Sequence, residues 1–399
     1  MKNYIAVDDA LRTILRHVTP VRVTERVTLA ASVGRVLAEP VDAPLDWPPF
    51  PRAAMDGYAF RAVDTPGTLH VAGTLFAGDV WAKPLLPGQA LRIMTGAPVP
   101  GGFDTVLEKE AVEPGDTIAV LKPVKPGRNI MAQGHEYTQG TRILERNTRI
   151  TPLAAGQLAA LGLSHVDVLK KPRVLIIITG NELTVQGKPL SPGHIYDANG
   201  PLFRALTAGL GARPTVRYVR DNERQMLGAL RDAKNRFDLV LTTGSVSVGD
   251  RDYLPALLER HFERLFWRVD MHPGKAMAAG LLAPGLPMVA LSGNPGASLT
   301  AWHLIAAPAI AALTSQPYHL KPVTGRLAQP YGKPTRETRY LKARFVRTPD
   351  GIRYQIIDNQ SSDALSSFAE ADGLVIIPHN SEPQPAGQTL TGLILPKAL

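Results

Sequence analysis

Three apolar runs in the middle of the chain each pass directly into a loop of small residues. This pattern constrains the fold more than any other feature. The runs are RVLIIITG, FDLVLTTG and LPMVALSG. Continuous apolar runs are typical of parallel strands that helices cover on both faces. Because helical patterns such as NERQMLGALRDAKN alternate with these runs, the sequence predicts a doubly wound α/β domain over about residues 170–320.

The loops that follow the three runs predict a ligand site. In an open α/β sheet the carboxyl ends of the strands share one edge, and ligands bind there at the topological switch point. Glycine lets the backbone approach a phosphate, and a following helix N-terminus offers unpaired N–H groups. One such loop is more often only a tight turn, whereas three in one domain favour a polyphosphate site. The chain has no GxxxxGK[ST], and no GxGxxG directly follows a strand, so ordinary P-loop and Rossmann sites are not indicated.

The flanking regions have a different character. Apolar residues at helical spacing from Val7 to Val18 predict an amphipathic helix with Asp8 as its N-cap. From about Val21 to Pro172, and again beyond Pro322, short β-branched runs lie between prolines and glycines. The fold class is therefore multidomain α/β plus β: a β-rich N-terminal region, the central doubly wound domain and a small β-rich C-terminal domain.

Composition and charge restrict the function classes. The chain has 399 residues and no cysteine, which excludes disulfides and thiolate chemistry. Its net charge of +9 favours an anionic partner, but the basic residues are scattered and only 6% of residues are aromatic. These facts argue against nucleic acid and favour a small phosphorylated ligand or oxyanion. With no signal-peptide pattern and no run of about 18 apolar residues, we expect a cytoplasmic protein without membrane spans.

Acidic residues accompany the strand-end loops. Glu182 follows the first loop, Asp250 and Asp252 lie in the second, and Asp221 falls between them in VRDNERQ. Carboxylates beside phosphates commonly hold Mg²⁺, because a hard cation neutralises their repulsion. Helix capping is the alternative role, and it suits Asp221 best. The sequence thus predicts a magnesium site that includes Glu182, Asp252 and, less firmly, Asp221.

Three further polar residues stand in unusual contexts. Lys275 lies among Gly and Pro in HPGKAMAAG, where its ammonium could meet an oxyanion. Taken alone, a solvated surface lysine is an equally good interpretation, but the surroundings of Lys275 favour the functional role. Asp56 in PRAAMDGYAF and Thr95 in RIMTGAPVP lie inside apolar turn-forming segments, where a polar group needs a partner. An Asx-type turn and a satisfied loop hydroxyl are the structural alternatives.

Six segments in this order and spacing resemble the molybdopterin molybdenumtransferase family, which includes the E domain of gephyrin. They are AMDGYA (54–59), RIMTGAPVP (92–100), TGNEL (179–183), SVSVGDRDY (245–253), PGK (273–275) and GNP (293–295). The resemblance extends over nearly the whole chain, and the AMDGYA and RIMTGAP pair is its most specific part.

The resemblance implies a four-domain subunit in an elongated homodimer. In this chain the domains would be residues 1–44 with 139–170, 45–138, 171–321 and 322–399, the third resembling molybdopterin adenylyltransferase. The implied reaction takes adenylylated molybdopterin and molybdate, releases AMP and leaves molybdenum on the dithiolene, with Mg²⁺ as helper. An adenylyltransferase and molybdoenzyme maturation proteins would be partners.

The resemblance also implies roles for individual residues. Asp56 and Thr95 of one subunit would face the α/β loops of the other, Glu182 and Asp252 would organise Mg²⁺ and pyrophosphate, and Lys275 would attract molybdate or phosphate. The implied catalytic residues are Asp56, Glu182, Asp252 and Lys275. The implied substrate-binding residues are Thr95, Asn199, Thr243, Gly244, Ser245, Ser247, Gly249, Gly274, Gly293, Asn294, Pro295 and Ser298.

The chain departs from the family pattern in several of these loops. The departures are Pro51, Ala53, Glu136, Asn181, Ser245, Ala276 and the GAS of GNPGAS at 296–298. Ala297 lacks a hydroxyl that would suit an oxyanion site, which Ser298 could replace. The alternatives are a molybdopterin-binding carrier or scaffold without insertion activity, and an adenylyltransferase-like or nucleotide pyrophosphatase enzyme. Stand-alone enzymes of the latter kinds lack the AMDGYA half, and tungstate is not distinguished from molybdate.

Overall fold

A computed structural model of the chain describes residues 4–246 and 253–396. The N-terminal elements are α1 (Val7–Leu15), β1 (Thr24–Thr28), α2 (Leu29–Ser32), β2 (Val41–Asp42), β3 (Arg52–Ala53), β4 (Gly57–Phe60), β5 (Gly67–Leu75), β6 (Gln89–Ile93), β7 (Thr105–Glu108), β8 (Thr117–Val120), β9 (Ile130–Met131), β10 (Arg142–Leu144), α3 (Pro152–Ala160) and β11 (His165–Leu169), with 3₁₀ turns at Ala62–Asp64 and Lys109–Ala111.

The central elements are β12 (Arg173–Thr179), β13 (Leu183–Thr184), β14 (Ile195–Tyr196), α4 (Asn199–Gly209), β15 (Arg213–Val219), α5 (Glu223–Asp232), β16 (Leu239–Thr243), α6 (Leu254–His261), β17 (Glu263–Trp267), β18 (Ala278–Ala283), β19 (Leu286–Leu291), α7 (Pro295–Ala301), a π turn (Trp302–Ala306) and α8 (Ala307–Leu313). The C-terminal elements are β20 (Lys321–Leu327), β21 (Arg339–Thr348), β22 (Gly351–Ile356), α9 (Ser366–Glu370), β23 (Gly373–Ile377) and β24 (Thr389–Ile394).

These elements group into two compact units. The first comprises Met1–Arg26, Gly34–Ala38 and Asp167–Leu399, and the second comprises Val27–Val33 and Glu39–Val166. The division into four domains by residue number remains a prediction, because the contacts separate the chain only into these two units.

The central sheet of the first unit has the strand order β15-β12-β16-β19-β18-β17. The four strands from β15 to β19 are parallel, whereas β18 and β17 run antiparallel, so the sheet is mixed. Alternate residues of the strands face two separate cores. Ile176 packs on the side of α1, α4 and the α7–α8 helices, while Ile177 packs on the side of α5 and α6. The predicted doubly wound arrangement is thereby confirmed.

A closed five-stranded barrel, β20-β22-β21-β23-β24, completes the first unit. Its interior is apolar and includes the fully buried Tyr354. In the second unit, the sheet β7-β4-β6-β5-β8 buries residues on both of its faces: Ala59 and Ile93 belong to one core, and Phe60 and Leu107 to the other. The predicted β-rich character of the N-terminal and C-terminal regions is confirmed.

Several local predictions were wrong. Helix α1 forms as expected, but its N-cap is Ala6 and not Asp8. Asp8 lies in the first turn, where its negative charge interacts favourably with the helix dipole but makes no capping hydrogen bond. The region from Val21 to Pro172, expected to consist of short β-branched runs, also contains a helix near its end: the Thr151 hydroxyl accepts from the Ala154 N–H and Pro152 opens α3. Thr-Pro at the start of this helix was a readable signal.

One helical stretch, Pro295–Leu313, is long and apolar enough to cross a membrane by length and composition alone. We had expected no such stretch. Because 94% of its most apolar window is buried inside the protein, the stretch is a core helix of the α/β domain.

Candidate functional site

The carboxyl ends of the parallel strands lie in register along one edge of the central sheet. Thr179 of β12 pairs with Val219 of β15, and Thr243 of β16 pairs with Leu291 of β19. β12 connects through α4 to β15, which lies on one side of it, and the chain then crosses to β16 on the other side of β12. The order in which strands are added to the sheet therefore reverses beside β12. The predicted loops therefore meet at the topological switch point, where ligands of such sheets bind.

A hydroxyl network joins the first two loops. The Thr179 hydroxyl donates to the Thr243 carbonyl at 3.1 Å and lies 3.1 Å from the Ser245 hydroxyl. The Gly244 N–H donates to the Leu291 carbonyl at 3.1 Å, which ties the second loop to the end of β19. Gly244 has a φ of +93° and Ser245 one of +55°, so this turn uses left-handed backbone twice in succession.

Asp221 joins the same network from the end of β15. Its carboxylate accepts from the Asn181 N–H at 3.2 Å and from the Ser245 hydroxyl at 3.4 Å, and its own N–H donates to the Asn181 side chain. Asp221 is not the cap of α5, because Asn222 accepts from the Gln225 N–H instead. The helix-cap interpretation of Asp221 was wrong. A cavity of about 490 Å³ opens beside these residues and is lined by Asn181, Arg220, Asp221, Asn222 and Gln225.

Glu182 is exposed at the end of β12. Its carboxylate folds back over Gly180, where an added Cβ would lie 2.8 Å from Oε1. The Glu182 carbonyl accepts from the Ile195 N–H at 2.9 Å, so the loop is fixed by its backbone while the side chain is free of protein partners among the described residues. Ser247, Gly249, Asp250 and Asp252 lie outside the described residues.

The third loop, GNP, is held from two sides. The Asn199 amide donates to the Gly293 carbonyl at 2.8 Å, and Asn294 donates to the Ser362 hydroxyl at 2.9 Å. The Ala297 N–H, at the start of α7, donates to the Ser362 carbonyl at 2.7 Å. This donor was expected to be available to an anion, but a loop of the barrel domain already occupies it.

Ser298 is fully buried, and its hydroxyl donates to the Pro295 carbonyl at 3.0 Å. This hydroxyl is engaged inside the first turn of α7, so substrate contact by Ser298 in place of the missing Ala297 hydroxyl stays a prediction. Asn199 and Thr243 are also buried. Asn199 donates to the carbonyl of Gly293 in the third loop, and the Thr243 carbonyl accepts from the Thr179 hydroxyl beside the first loop.

The side chain of Lys275 is 43% exposed, but its ammonium is paired with a carboxylate. Its ammonium lies 2.8 Å from the Glu337 carboxylate of the barrel domain and 5.7 Å from the centre of the Tyr4 ring. The bond to Glu337 raises the pKa of Lys275, and the same bond lowers the pKa of Glu337. An oxyanion at Lys275 must therefore compete with a carboxylate, a partner that the sequence pattern did not reveal.

The second unit brings Asp56 and Thr95 together. One carboxylate oxygen of Asp56 accepts from both the N–H and the hydroxyl of Thr95, at 2.9 and 2.8 Å, and Lys109 lies 3.8 Å from the other. The Thr95 N–H, followed by its hydroxyl, lowers the pKa of Asp56. The Asp56 side chain therefore does not form the alternative Asx-type turn but binds Thr95, 39 residues further along the chain. Because its pKa is lowered, the Asp56 carboxylate stays ionised at neutral pH.

Sequence reasoning also missed Asp197, which is only 2% exposed and accepts hydrogen bonds at the start of α4. The pattern DANGPLF, an acidic residue just before an apolar helical repeat, was the signal that could have found it.

Fold and site together define a multidomain protein whose central α/β domain has a candidate ligand site at the carboxyl ends of its parallel strands. Three family descriptions match in order: MoeA N-terminal region (domain I and II) at residues 5–162, Probable molybdopterin binding domain at 175–312, and MoeA C-terminal region (domain IV) at 324–395. The chain belongs to the molybdopterin molybdenumtransferase (MoeA) family. The resemblance drawn from the six motifs is confirmed, and the protein has a role in molybdenum cofactor biosynthesis.

Relatives align over the full length. Molybdopterin molybdenumtransferase of Staphylococcus aureus (strain MRSA252) is 33% identical over 98% of this chain and 95% of its own. The Haemophilus influenzae protein of the same name is 31% identical over 97% and 98%. A crystal structure of the molybdopterin biosynthesis MoeA protein from Pyrococcus horikoshii superposes with a TM-score of 0.82 at 28% identity, covering 98% of this chain and 99% of that one.

Proposed function

We propose that this protein inserts molybdenum from molybdate into adenylylated molybdopterin and releases AMP. The observation that carries the proposal is the in-register set of strand ends, which brings Thr179, Ser245 and Asp221 into one network beside an open cavity. This edge offers hydroxyl and amide groups of the kind that bind phosphate oxygens, next to carboxylates that suit a cation.

Mg²⁺ fits the donors at this edge. Glu182 and Asp221 present carboxylate oxygens from adjoining loops, and Mg²⁺ commonly takes one or two carboxylates together with substrate phosphates and water. Bound there, the ion would supply neutralisation of the pyrophosphate charge. Glu182, Asp221 and Asp252 would hold it. Asp221 also joins the Asn181 N–H and the Ser245 hydroxyl, which both donate to its carboxylate, at this edge of the sheet.

Lys275 and Asp56 would serve the oxyanion. We propose that molybdate exchanges with Glu337 at the Lys275 ammonium, where the compact charge holds a tetrahedral anion. Asp56, kept ionised by Thr95, would position the attacking oxygen.

The deciding experiment follows AMP release and active molybdenum cofactor after the purified protein meets adenylylated molybdopterin, MgCl₂ and molybdate. Glu182→Gln and Asp221→Asn should each lower turnover by roughly 10²-fold or more. Asp232→Asn, which changes an exposed carboxylate on α5 paired with Arg217, is the matched control and should stay at the wild-type rate. Tight nucleotide binding without turnover in the wild type would instead make the chain a carrier.

Two further outcomes separate the alternatives. AMP transfer from ATP to molybdopterin would identify an adenylyltransferase-like enzyme and contradict the insertion proposal. Full turnover in excess EDTA would contradict the role of Mg²⁺.

We also propose a cytoplasmic homodimer in which Asp56 of one subunit serves the α/β loops of its partner. Sedimentation measures the dimer directly. If the proposal holds, mixing inactive Asp56→Ala and Glu182→Gln subunits restores about a quarter of wild-type activity, because half of the dimers are mixed and one site in each is intact. No recovery in verified mixed dimers would refute the shared site.

A further inference from the structure

Asp197 is a buried carboxylate at the start of α4 that the proposed chemistry does not use. It is 2% exposed and accepts three hydrogen bonds: from the Asn199 N–H at 2.9 Å, from the Gly200 N–H at 3.1 Å and from the Tyr218 hydroxyl at 2.9 Å. A buried charge is costly unless such donors compensate it. Burial together with the bond to Asp197 raises the pKa of Tyr218 to about 12, so this donor keeps its proton at neutral pH.

The surrounding backbone is shaped to admit this carboxylate. A Cβ added to Gly200 would lie 2.4 Å from an Asp197 carboxylate oxygen and 2.9 Å from the Tyr218 hydroxyl. Only glycine leaves room for the cap at that position. Asp197, Asn199, Gly200 and Tyr218 therefore form one hydrogen-bonded cluster that joins the first turn of α4 to the end of β15.

The cluster around Asp197 is connected to two of the three strand-end loops. The Asp197 N–H donates to the Thr184 carbonyl at 3.0 Å, in the short strand that follows Glu182. The Asn199 N–H donates to the Asp197 carboxylate, and the Asn199 side-chain amide donates to the Gly293 carbonyl at 2.8 Å. An added Cβ on Gly293 would lie 3.6 Å from the Gly244 Cα, so the loop that Asn199 holds packs directly on the second loop.

We propose that Asp197 is a positioning residue for the insertion reaction: by accepting from the first two N–H groups of α4 it fixes Asn199, which in turn holds the GNP loop against the Gly244 turn. The inference rests on the proposed function, since it names a residue that organises the same site. An ordinary helix cap would stabilise α4 without changing the geometry of the loops. The two roles differ in whether the effect of Asp197 passes through Asn199.

A double-mutant cycle separates these roles. Asp197→Asn keeps the size of the side chain but turns one of the two acceptor oxygens into a donor, so the N–H groups of Asn199 and Gly200 and the Tyr218 hydroxyl share a single acceptor. We expect it to lower kcat for AMP release about tenfold to a hundredfold, because small displacements of positioned groups have effects of that size. In an Asn199→Ala background the same change should lower kcat by less than about twofold, because the connection is already absent.

Thr151→Ala is the matched control, since it removes a side-chain cap from α3 and leaves the strand-end loops untouched. It should keep wild-type kcat. An equal loss from Asp197→Asn in both backgrounds, no loss in either, or an equal loss in Thr151→Ala would each overturn the proposal.

Amide hydrogen exchange provides a readout independent of turnover. Asp197→Asn should speed exchange at the amides of residues 292–294 and 296 about tenfold, and Asn199→Ala should do the same, because both release the GNP loop. Unchanged exchange there, with faster exchange confined to the first turn of α4, would overturn the positioning role. If the wild type releases no AMP, the proposed reaction fails, and this comparison still decides whether Asp197 fixes the loop.

Discussion

Alanine at Gly244 tests whether the three strand-end loops depend on close packing at one turn. The added Cβ would lie 2.6 Å from the Thr179 hydroxyl oxygen and 3.1 Å from the Thr179 carbonyl. Gly244 also has a φ of +93°. Left-handed backbone costs an L residue about 1–2 kcal/mol, and crowding in a packed site adds about 1–3 kcal/mol. We expect Gly244→Ala to lower the free energy of unfolding by about 2–5 kcal/mol.

Gly211→Ala isolates the packing contribution. Gly211 follows α4 in the same unit with a φ of +83°, but its added Cβ would meet only the Gly34 carbonyl at 3.9 Å. This control should lose only the conformational cost of about 1–2 kcal/mol. Urea unfolding followed by tryptophan fluorescence measures both variants, and AMP release should fall in Gly244→Ala alone. Equal destabilisation of the two variants, or unchanged turnover in Gly244→Ala, would refute the reasoning.

Three other predictions concern single side chains. Thr95→Val keeps the N–H but removes the hydroxyl, so the pKa of Asp56 should rise part of the way to its ordinary value in an NMR titration; an unchanged pKa would contradict the assigned contacts. Burial lowers the pKa of His303 to about 4, so stability should fall by about 3 kcal/mol as pH drops from about 6.5 to 4, a dependence absent in His303→Gln. A pKa of His303 near 6.5 in the folded protein would contradict this expected loss of stability at low pH. Lys342 is 1% exposed, and among the described residues its ammonium donates only to the Ser361 carbonyl. Lys342→Met should therefore lower the free energy of unfolding by under about 1.5 kcal/mol, whereas Lys342→Ala should lower it by about 2–5 kcal/mol in urea unfolding.

The signs of the two pH effects follow from linkage. The folded-state pKa of Asp56 is lowered, so its contribution is complete above the pKa of the unfolded chain and is lost as pH falls through the lowered value. Neutral His303 behaves similarly, because the unfolded chain takes up a proton at higher pH than the folded protein does.

The main elements of the α/β domain could be predicted from local pattern. RVLIIITG, FDLVLTTG and LPMVALSG became β12, β16 and β19, since a continuous apolar run has few stable alternatives to a strand covered on both faces. Because parallel strands end at the same edge of a sheet, the sequence also predicted that the loops after these three strands lie along one edge. Capping was less predictable: Asp8 and Asp221 do not cap the adjacent helices, and the helix at Thr151–Pro152 went unrecognised.

The sequence by itself determined the strand ends and the family, because the apolar periodicity and the motif order were enough to mark them. Only the tertiary structure decided which groups the candidate site residues meet. Asp56 meets Thr95 across 39 residues, Asp221 meets Asn181 across 40, and Lys275 meets Glu337 across 62. Propensity and periodicity act within one element, whereas a carboxylate's partners and its pKa are set by whichever chain segments fold against it.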